Sequence, residues 1–506
     1  MPPVPSDDVD VLIVGAGLSG IGAAVHLHHE CPGRTYAILE SRESIGGTWD
    51  LFRYPGIRSD SDMYTLGYSF RPWTNPKAIA DGPDILEYIR STARDYDVDR
   101  HIRFGHKVVD ASWSSEEARW TVTADRSDGS GPATIRCKFL LFCSGYYDYD
   151  SGYSPEFPGA ERFGGELIHP QHWDPETDWT GKRVVVIGSG ATAVTLVPAM
   201  APAAEHVTML QRSPSYVITL PARDPVARVL HKYLPTKAAY AAIRWFKVLT
   251  TMASFQLSRR RPQLMRKLLR SSAVKQLPEG YDVDTHFNPK YDPWDQRLCM
   301  VPDGDLFKVL RSGEAEIVTD SIATFDETGI ELVSGEHLDA DIVISATGLN
   351  LLALGGAELS VDGEAVDLSS RVGYKGMMLE GVPNAALALG YTNASWTLKC
   401  DLTHEYVCRV LNHMQARGYD AATPVNDDPT LGTEPFIDFS SGYVQRSIHK
   451  FPKQGTREPW RLHQNYLRDI LLLRRGEIED GALIFTRAGE RPGAGEPETE
   501  LEPASA

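Results

Sequence analysis

The sequence predicts an α/β fold with two nucleotide-binding domains and a helical insertion. One pattern occurs twice: an apolar β-branched run, then a glycine turn, then a helix rich in small residues. It begins at Asp10 as "DVLIVGAGLSGIGAAVHL" and at Lys182 as "KRVVVIGSGATAVTLVPAM". Each copy is the start of a Rossmann-like βαβ unit, and a chain of 506 residues is long enough for two such domains.

The first glycine turn has the spacing of a dinucleotide site. Gly15, Gly17 and Gly20 form GxGxxG directly after the strand. The first glycine permits a tight turn, the second lets a pyrophosphate approach the backbone, and the third allows close helix–strand packing. Glu40 lies 20 residues after Gly20, where an acid accepts the ribose hydroxyls of an adenosine. Together these features predict an FAD site, to which Ser19 within the loop belongs.

The second glycine turn differs from the first in the residue that follows the next strand. "VTMLQRSP" places Arg212 and Ser213, and no acid, at the end of that strand. An arginine binds a 2′-phosphate that a carboxylate would repel, so the expected ligand is NADPH. An arginine that merely faces solvent is the alternative. The residues of the turn expected to contact this cofactor are Gly188, Ser189, Gly190, Ala191, Thr192, Ala193 and Val194, with alanine at the third fingerprint position.

The order of the motifs predicts that the first domain is discontinuous. "KFLLFCSGYY" and "DIVISATGLN" each have the pattern of a buried strand that ends in a glycine turn. We interpret them as the exit from the first domain and the return to it. The predicted units are an FAD-binding domain at 1–148 and 336–486, an NADP-binding domain at 149–335 with a helical excursion at about 222–277, and a disordered tail at 487–506.

The charge, the opening segment and the cysteines argue against several classes of protein. A formal net charge of −17 argues against nucleic acid as a partner. The opening "MPPVPSDDVD" has no apolar core of a signal peptide, so a cytoplasmic location is expected. The six cysteines show no CxxC pair and no metal-ligand spacing, and no metal site is expected. The segment "SIGGTWDLFRYPGIRSDSDMY" lacks the cysteine pair of the disulfide reductases, which share the two-domain layout.

Five positions between the two glycine motifs match a known fingerprint. Phe163, Gly165, His169, Trp173 and Asp174 fit FxGxxxHxxxW(P/D) at every fixed position. The chain therefore resembles the type I Baeyer–Villiger monooxygenases, along essentially its whole length. Segments such as "GGTWDLFRYPGIRSDSDMY" and "GYTNASWTLK" resemble especially the mycobacterial, ethionamide-activating group of that family. A polar interdomain loop whose histidine and tryptophan merely pack is the alternative.

The resemblance implies a reaction and two cofactors. In this family FAD reduced by NADPH reacts with oxygen to give a C4a-peroxyflavin, which converts a ketone to an ester or lactone while NADP⁺ stays bound. Sulfoxidation of thioethers is expected as well. An S- or N-oxygenase and, from another class, a flavin-binding redox sensor with negligible turnover are the alternatives. The natural ketone or thioether substrate and the oligomeric state stay open.

The resemblance also assigns roles to single residues. Arg297 matches the active-site arginine and Asp60 the aspartate that orients it; a surface arginine and a turn-capping carboxylate are the alternatives. His169 is expected to couple the interdomain linker to NADP(H) binding. Gln296 replaces a lysine that in better-known ketone-oxidising members helps to bind the 2′-phosphate. Further contacts are implied for Arg58 and Ser59 on the nicotinamide side, for Thr48, Trp49, Asp50 and Leu51 around the flavin, and for the backbone of Val108 at the adenine.

A basic run lies in the predicted helical excursion. "SRRRPQLMRKLLR" spans 258–270, and Trp245, Phe246 and Phe255 precede it. Such a run could rest on an anionic membrane surface. A solvated helix face is the more usual origin of the pattern, and it is the interpretation that we favour from the sequence.

Overall fold

The computed structural model describes residues 7–296, 298–437 and 440–491 and contains two α/β domains. The predicted active-site residue Arg297 lies outside the described residues, as does the part of the predicted tail that follows residue 491.

The first domain is built on a nine-stranded mixed sheet. The strand that leads into the first glycine turn, Asp8–Val14, pairs in parallel with Tyr36–Leu39 on one side and with Ala133–Phe142 on the other. Strands from beyond residue 357 complete the sheet, so the first domain is discontinuous, as the motif order predicts. The sheet order is Glu364–Ala365, Glu358–Val361, His106–Ser114, Arg119–Arg126, Ala133–Phe142, Asp8–Val14, Tyr36–Leu39 and Ile102–Arg103, with Ala385–Leu387 paired to Ala133–Phe142.

The second domain contains a five-stranded parallel sheet, and it extends further along the chain than the sequence predicts. Ile342–Ser345 pairs with Arg183–Ile187 and with Glu166–Ile168, which makes it a central strand of this sheet. The predicted boundary at residue 335 is therefore too early, and "DIVISATGLN" is not the return strand. Buried strands of the two sheets have the same apolar pattern. The sheet order is Ala315–Thr319, His206–Gln211, Arg183–Ile187, Ile342–Ser345 and Glu166–Ile168.

The helical excursion that is expected near residues 222–277 consists of three helices: Pro225–Tyr233, Thr236–Arg260 and Pro262–Gln276. Asp224 caps the first of them, since its carboxylate accepts a hydrogen bond from the backbone N–H of Ala227. The other α-helices are Leu18–Glu30, Thr48–Leu51, Met63–Leu66, Gly82–Asp95, Ala191–Met200, Val283–His286, Asp305–Ser312, Trp396–Arg417, Gly442–Gln445 and Tyr466–Ile470.

Smaller sheets complete the structure. They pair Val217–Leu220 with Cys299–Pro302, Tyr147–Gly152 with Leu349–Leu351, Gly373–Tyr374 with Met378–Leu379, Ala421–Pro424 with Leu483–Thr486, and Thr433–Pro435 with Lys453–Gly455, and they join Ile322–Phe325, Gly329–Leu332 and His337–Asp339. Two apolar cores include residues of the first sheet. Two more include residues of the second sheet, and the larger of these, which contains Val184, Val186, Val207 and Ile342, is called the second core. None of the described helices is long and apolar enough to cross a bilayer. The two Rossmann-like domains with a helical insertion confirm the predicted fold class.

Candidate active site

A cavity of about 1260 Å³ joins the two glycine turns. Gly15 and Gly17 line one part of it, and Gly188 and Gly190 line another. Both turns follow the carboxyl end of a parallel strand and lead into a helix, which is where open α/β sheets bind ligands. The two glycine turns therefore line one common cavity.

Two glycines of the first turn have no room for a larger residue. Gly15 has φ +103°, and a Cβ atom there would lie 2.8 Å from the carbonyl oxygen of Cys143. A Cβ atom on Gly20 would overlap the carbonyl oxygen of Gly15. Gly20 does not line the cavity; it supplies the close helix–strand packing that the fingerprint requires. The helix Leu18–Glu30 then starts at the cavity wall, where its free N–H groups favour an anion such as a pyrophosphate.

Glu40 is fixed beside this turn at the end of strand Tyr36–Leu39. Its carboxylate accepts hydrogen bonds from the backbone N–H groups of Ala16 at 2.7 Å and Arg42 at 2.9 Å. The side chain lines the cavity although the residue is only 4% exposed. Burial raises the pKa of this carboxyl against the opposing effect of the two backbone hydrogen bonds. Val108, in strand His106–Ser114, also lines the cavity.

The segment after the glycine pair at 46–47 only partly matches its predicted role. Thr48 and Trp49 line the cavity, but Asp50 and Leu51 do not. The carboxylate of Asp50 is 1% exposed and forms ion pairs with three arginines, two of them near in the chain and one on helix Gly82–Asp95. These are Arg42, Arg53 and Arg90. Asp50 therefore holds the loop in place and does not face the cofactor space.

A close backbone approach and a side-chain hydrogen bond fix the second glycine turn. Gly188 has φ +141°, and a Cβ atom there would overlap the carbonyl oxygen of Ala346. The hydroxyl of Ser189 donates a hydrogen bond to the carbonyl oxygen of Ser213 at 2.9 Å and so connects the turn to the end of the next strand. Arg212 and Ser213 are exposed and line the cavity. Ala191 and Thr192 line it as well, whereas Ala193 and Val194 are buried in the second core.

The predicted catalytic aspartate faces the same cavity. Asp60 is half-buried in its wall, and the neighbouring Ser59, which also lines the cavity, is buried. Gln296 and Leu298, on either side of position 297 in the chain, also line this cavity. The guanidinium of Arg58 is held in an ion pair with Asp305 at the start of helix Asp305–Ser312.

The fingerprint segment 163–174 is bound to the second domain. Glu166–Ile168 is the edge strand of the second sheet, and a Cβ atom on Gly165 would overlap the carbonyl oxygen of Asp341. Phe163 packs edge-on against Phe325, with the ring centroids 5.9 Å apart. Trp173 is 8% exposed within the second core. These contacts explain why the fingerprint has two aromatic positions and one glycine.

His169 lies beside the cavity and not in it. Its ring occupies the space that a side chain on Gly152 would need, and its Nε2 atom is 3.3 Å from the carbonyl oxygen of Gly348, a residue of the cavity wall. Burial lowers the pKa of the imidazole, which favours its neutral form. The structure therefore does not bring His169 together with Asp60. Its contacts connect the fingerprint to the two strands by which the chain leaves and re-enters the first domain.

Several residues of the cavity wall are not among the predicted site residues. The indole Nε1–H of Trp396 donates a hydrogen bond to the hydroxyl of Ser19 at 2.9 Å. The hydroxyls of Tyr149 and Thr48 are 3.1 Å apart, and the guanidinium carbon of Arg446 lies 3.4 Å from the centre of the Tyr153 ring. Only Trp396 carried a sequence signal, because it belongs to the segment "GYTNASWTLK". The others come from loops whose positions depend on the tertiary fold.

Comparison with known proteins identifies the class. The model of the flavin-binding monooxygenase-like family matches residues 74–351, and that of an NAD(P)-binding Rossmann-like domain matches residues 13–77. The chain belongs to the flavin-binding monooxygenase-like family, which confirms the predicted recognition at this level.

Particular relatives narrow the comparison. The FAD-containing monooxygenase EthA of Mycobacterium tuberculosis is 57% identical over 95% of this chain and 98% of its own length. Among solved structures, an oxidised steroid monooxygenase bound to NADP has a TM-score of 0.74 at 22% identity, covering 95% of this chain and all of its own. An open cyclohexanone monooxygenase has a TM-score of 0.70 at 23% identity, covering 83% and 91%. FAD and NADP, which appear in the names of these proteins, are the two cofactors that the sequence predicts.

Proposed function

We propose that the protein is an NADPH- and oxygen-dependent flavin monooxygenase that converts ketones to esters or lactones and also oxidises thioethers to sulfoxides. One observation carries the proposal: a single cavity reaches both glycine turns and both chain neighbours of position 297. Hydride transfer from a nicotinamide to a flavin needs two dinucleotides that meet in one space. The ketone reaction balances as ketone, O₂, NADPH and H⁺ giving ester, NADP⁺ and water.

The wall residues fit FAD at the first turn. The backbone at Gly15 and Gly17 and the start of helix Leu18–Glu30 would hold the pyrophosphate, and Glu40 would accept the ribose hydroxyls. Thr48 and Trp49 would flank the isoalloxazine ring. When bound, this cofactor supplies the chemistry that takes hydride from NADPH and activates oxygen.

At the second turn, the residues fit NADP(H). The N–H groups at the start of helix Ala191–Met200 would bind the pyrophosphate, and Arg212 would bind the 2′-phosphate with charge-assisted hydrogen bonds. No acid follows strand His206–Gln211, whereas Glu40 follows the corresponding strand of the first site, and this difference distinguishes the two sites. Selectivity for NADPH over NADH is therefore assigned to Arg212, because Gln296 carries no charge.

The remaining wall residues would control charge and water near the reacting atoms. A guanidinium at position 297 would stabilise negative charge that develops during oxygen transfer, and Asp60 would hold it in orientation. The aromatic side chains of Tyr146, Trp396 and Tyr443 line the cavity and would exclude water from this region. His169 would act through the position of the linker and would not contact the substrate.

The proposal is tested by identifying products. The holoenzyme is incubated with NADPH, oxygen and either 2-octanone or methyl p-tolyl sulfide, and the products are separated by gas chromatography. Ester from the ketone supports the proposal, sulfoxide alone would favour an S-oxygenase, and hydrogen peroxide alone would favour a redox sensor. Arg297→Ala is expected to abolish ester formation but to retain reduction of the flavin. Lys308→Ala, which removes an exposed cation on helix Asp305–Ser312, serves as the matched control.

A further inference from the structure

The three helices of the insertion have a charge opposite to that of the rest of the protein. Residues 225–276 contain twelve lysines and arginines and no aspartate or glutamate. The whole chain has a net charge of −17, so the chain outside this segment carries −29. Such a separation of charge is not needed for folding, and it indicates a surface that meets an anionic partner.

More than half of these cations are free of carboxylates. Five of them form ion pairs with aspartates elsewhere in the protein: Arg244, Lys247, Arg259, Arg266 and Arg270. The other seven are exposed and form no ion pair with a carboxylate in the part of the chain that the structure describes: Arg228, Lys232, Lys237, Arg260, Arg261, Lys267 and Lys275.

Large apolar side chains are exposed on the same helices. Of the fourteen that are exposed among the described residues, ten lie between 229 and 274. On the long helix they recur at helical spacing along one face, where Trp245, Phe246, Leu249 and Leu257 are each 40–51% exposed. On the next helix Leu264 and Leu268 are 47% and 52% exposed. On the long helix the exposed apolar residues therefore form one outward stripe, and further exposed apolar residues and cations lie on the next helix.

The opposite face of the long helix is anchored in the first domain, which fixes the outward direction of the stripe. The guanidinium of Arg244 donates hydrogen bonds to the carbonyl oxygens of Tyr64 at 3.0 Å and Gly67 at 2.7 Å. The hydroxyl of Tyr240 donates one to the carbonyl oxygen of Tyr68 at 3.0 Å. The helix cannot turn its apolar stripe inward without breaking these buried bonds.

We propose that the exposed face of helices Pro225–Tyr233, Thr236–Arg260 and Pro262–Gln276 docks on the surface of an anionic lipid bilayer. Tryptophan, phenylalanine and leucine beside lysine and arginine, with no acidic residue, is the composition of an interfacial helix surface. Because no described helix can cross a bilayer, the contact is with the surface. A second copy of this chain is a poorer occupant, because a symmetric contact would bring two basic faces together.

The docking face is close to the cavity. The ring of Phe255 on the long helix lies edge-on to Trp294, with centroids 5.6 Å apart, and Leu269 on the next helix packs in one cluster with Leu298. Leu298 lines the cavity. Only helix Pro262–Gln276 therefore lies between a bilayer on this face and Leu298 of the cavity wall. The docking itself does not depend on the proposed function.

Flotation of the holoenzyme with lipid vesicles tests the proposal. Vesicles of equal parts phosphatidylglycerol and phosphatidylcholine are compared with phosphatidylcholine alone, at low and at high salt. We expect at least about ten-fold more bound protein on the anionic vesicles, with loss of that excess at high salt. Equal binding to both kinds of vesicle, or binding to neither, would overturn the proposal.

Two double variants and one control assign the binding to this face. Phe246→Ser with Leu249→Ser, and Arg260→Glu with Arg261→Glu, are each expected to reduce binding to anionic vesicles about ten-fold or more. Leu167→Ser with Val333→Ser removes comparably exposed apolar side chains from the second domain and should leave binding unchanged. Retained flavin content and circular dichroism show that the variants are folded. Unchanged binding by both helix variants, or a lipid-free dimer that both of them dissociate, would overturn the assignment.

Discussion

A buried charge network joins the helix of the first glycine turn to helix Trp396–Arg417, and it predicts a specific dependence of stability on pH. His26 is 6% exposed; its Nδ1 atom is 2.7 Å from the carboxylate of Glu30, and its Nε2 atom is 3.5 Å from that of Asp401. The guanidinium of Arg244 forms an ion pair with the other carboxylate oxygen of Asp401, with an N–O distance of 3.3 Å. Replacing His26 with glutamine removes the titrating group and keeps a polar side chain of similar size.

The expected magnitude follows from the pKa of His26. Burial alone would lower this pKa, but the contacts with Asp401 and Glu30 raise it from 6.5 to about 10. Because the folded value is the higher one, the stabilisation is complete below pH 6.5 and is lost as the pH rises towards 10. One proton is involved, so the free energy of unfolding should fall by about 1.4 kcal/mol per pH unit in this range, and by roughly 2–5 kcal/mol in all.

Urea unfolding of wild-type and His26→Gln protein, at intervals from pH 6.5 to 9.5, measures the contribution of His26 to the free energy of unfolding. The difference between the two free energies of unfolding should shrink steadily as the pH rises. His29→Gln is the matched control on the same helix, because burial and the neighbouring histidines lower the pKa of His29 and leave it neutral in this range. A wild-type minus His26→Gln difference that stays constant across the range would refute the reasoning.

Three further predictions concern the cofactor sites. Arg212→Glu should raise the KM for NADPH by about 10- to 100-fold and leave that for NADH nearly unchanged, because a charge-assisted contact with the 2′-phosphate is lost; an unchanged ratio of the two KM values would contradict the assignment. Gly15→Val should yield protein with little bound FAD, measured by flavin absorbance per chain, because φ +103° and the 2.8 Å approach to Cys143 leave no room for a side chain; normal flavin content would disprove this. His169→Ala should keep flavin bound but divert NADPH oxidation to hydrogen peroxide, and full coupling of NADPH to product would exclude a role for the linker.

Local spacing was sufficient to predict the glycine turns. The three glycines of the first turn, Glu40 and the arginine of the second site all lie where the order of strand, turn and helix places them. These features depend on neighbours within about twenty residues, so the sequence contains the necessary information. The same reasoning predicted that the two sites differ in the cofactor they bind.

Features that depend on long-range pairing were predicted less well. The strand Ile342–Ser345 has the apolar pattern of either sheet, and only its hydrogen bonds to Arg183–Ile187 assign it to the second. The resemblance places Asp50 at the flavin, but its carboxylate is buried in ion pairs with Arg42, Arg53 and Arg90, and the last of these lies 40 residues further along the chain. The basic helices were recognised, whereas the outward direction of their apolar stripe depends on the buried bonds of Arg244.

We propose above all that one cavity couples oxidation of NADPH at the second glycine turn, by FAD at the first, to insertion of oxygen into an organic substrate. Turnover of 2-octanone under ¹⁸O₂, with NADPH consumption recorded and the ester analysed by mass spectrometry, tests this claim most directly. We expect one ¹⁸O atom in each ester molecule and nearly one ester per NADPH oxidised. Ester without the label, or NADPH oxidation that yields only labelled hydrogen peroxide, would contradict it.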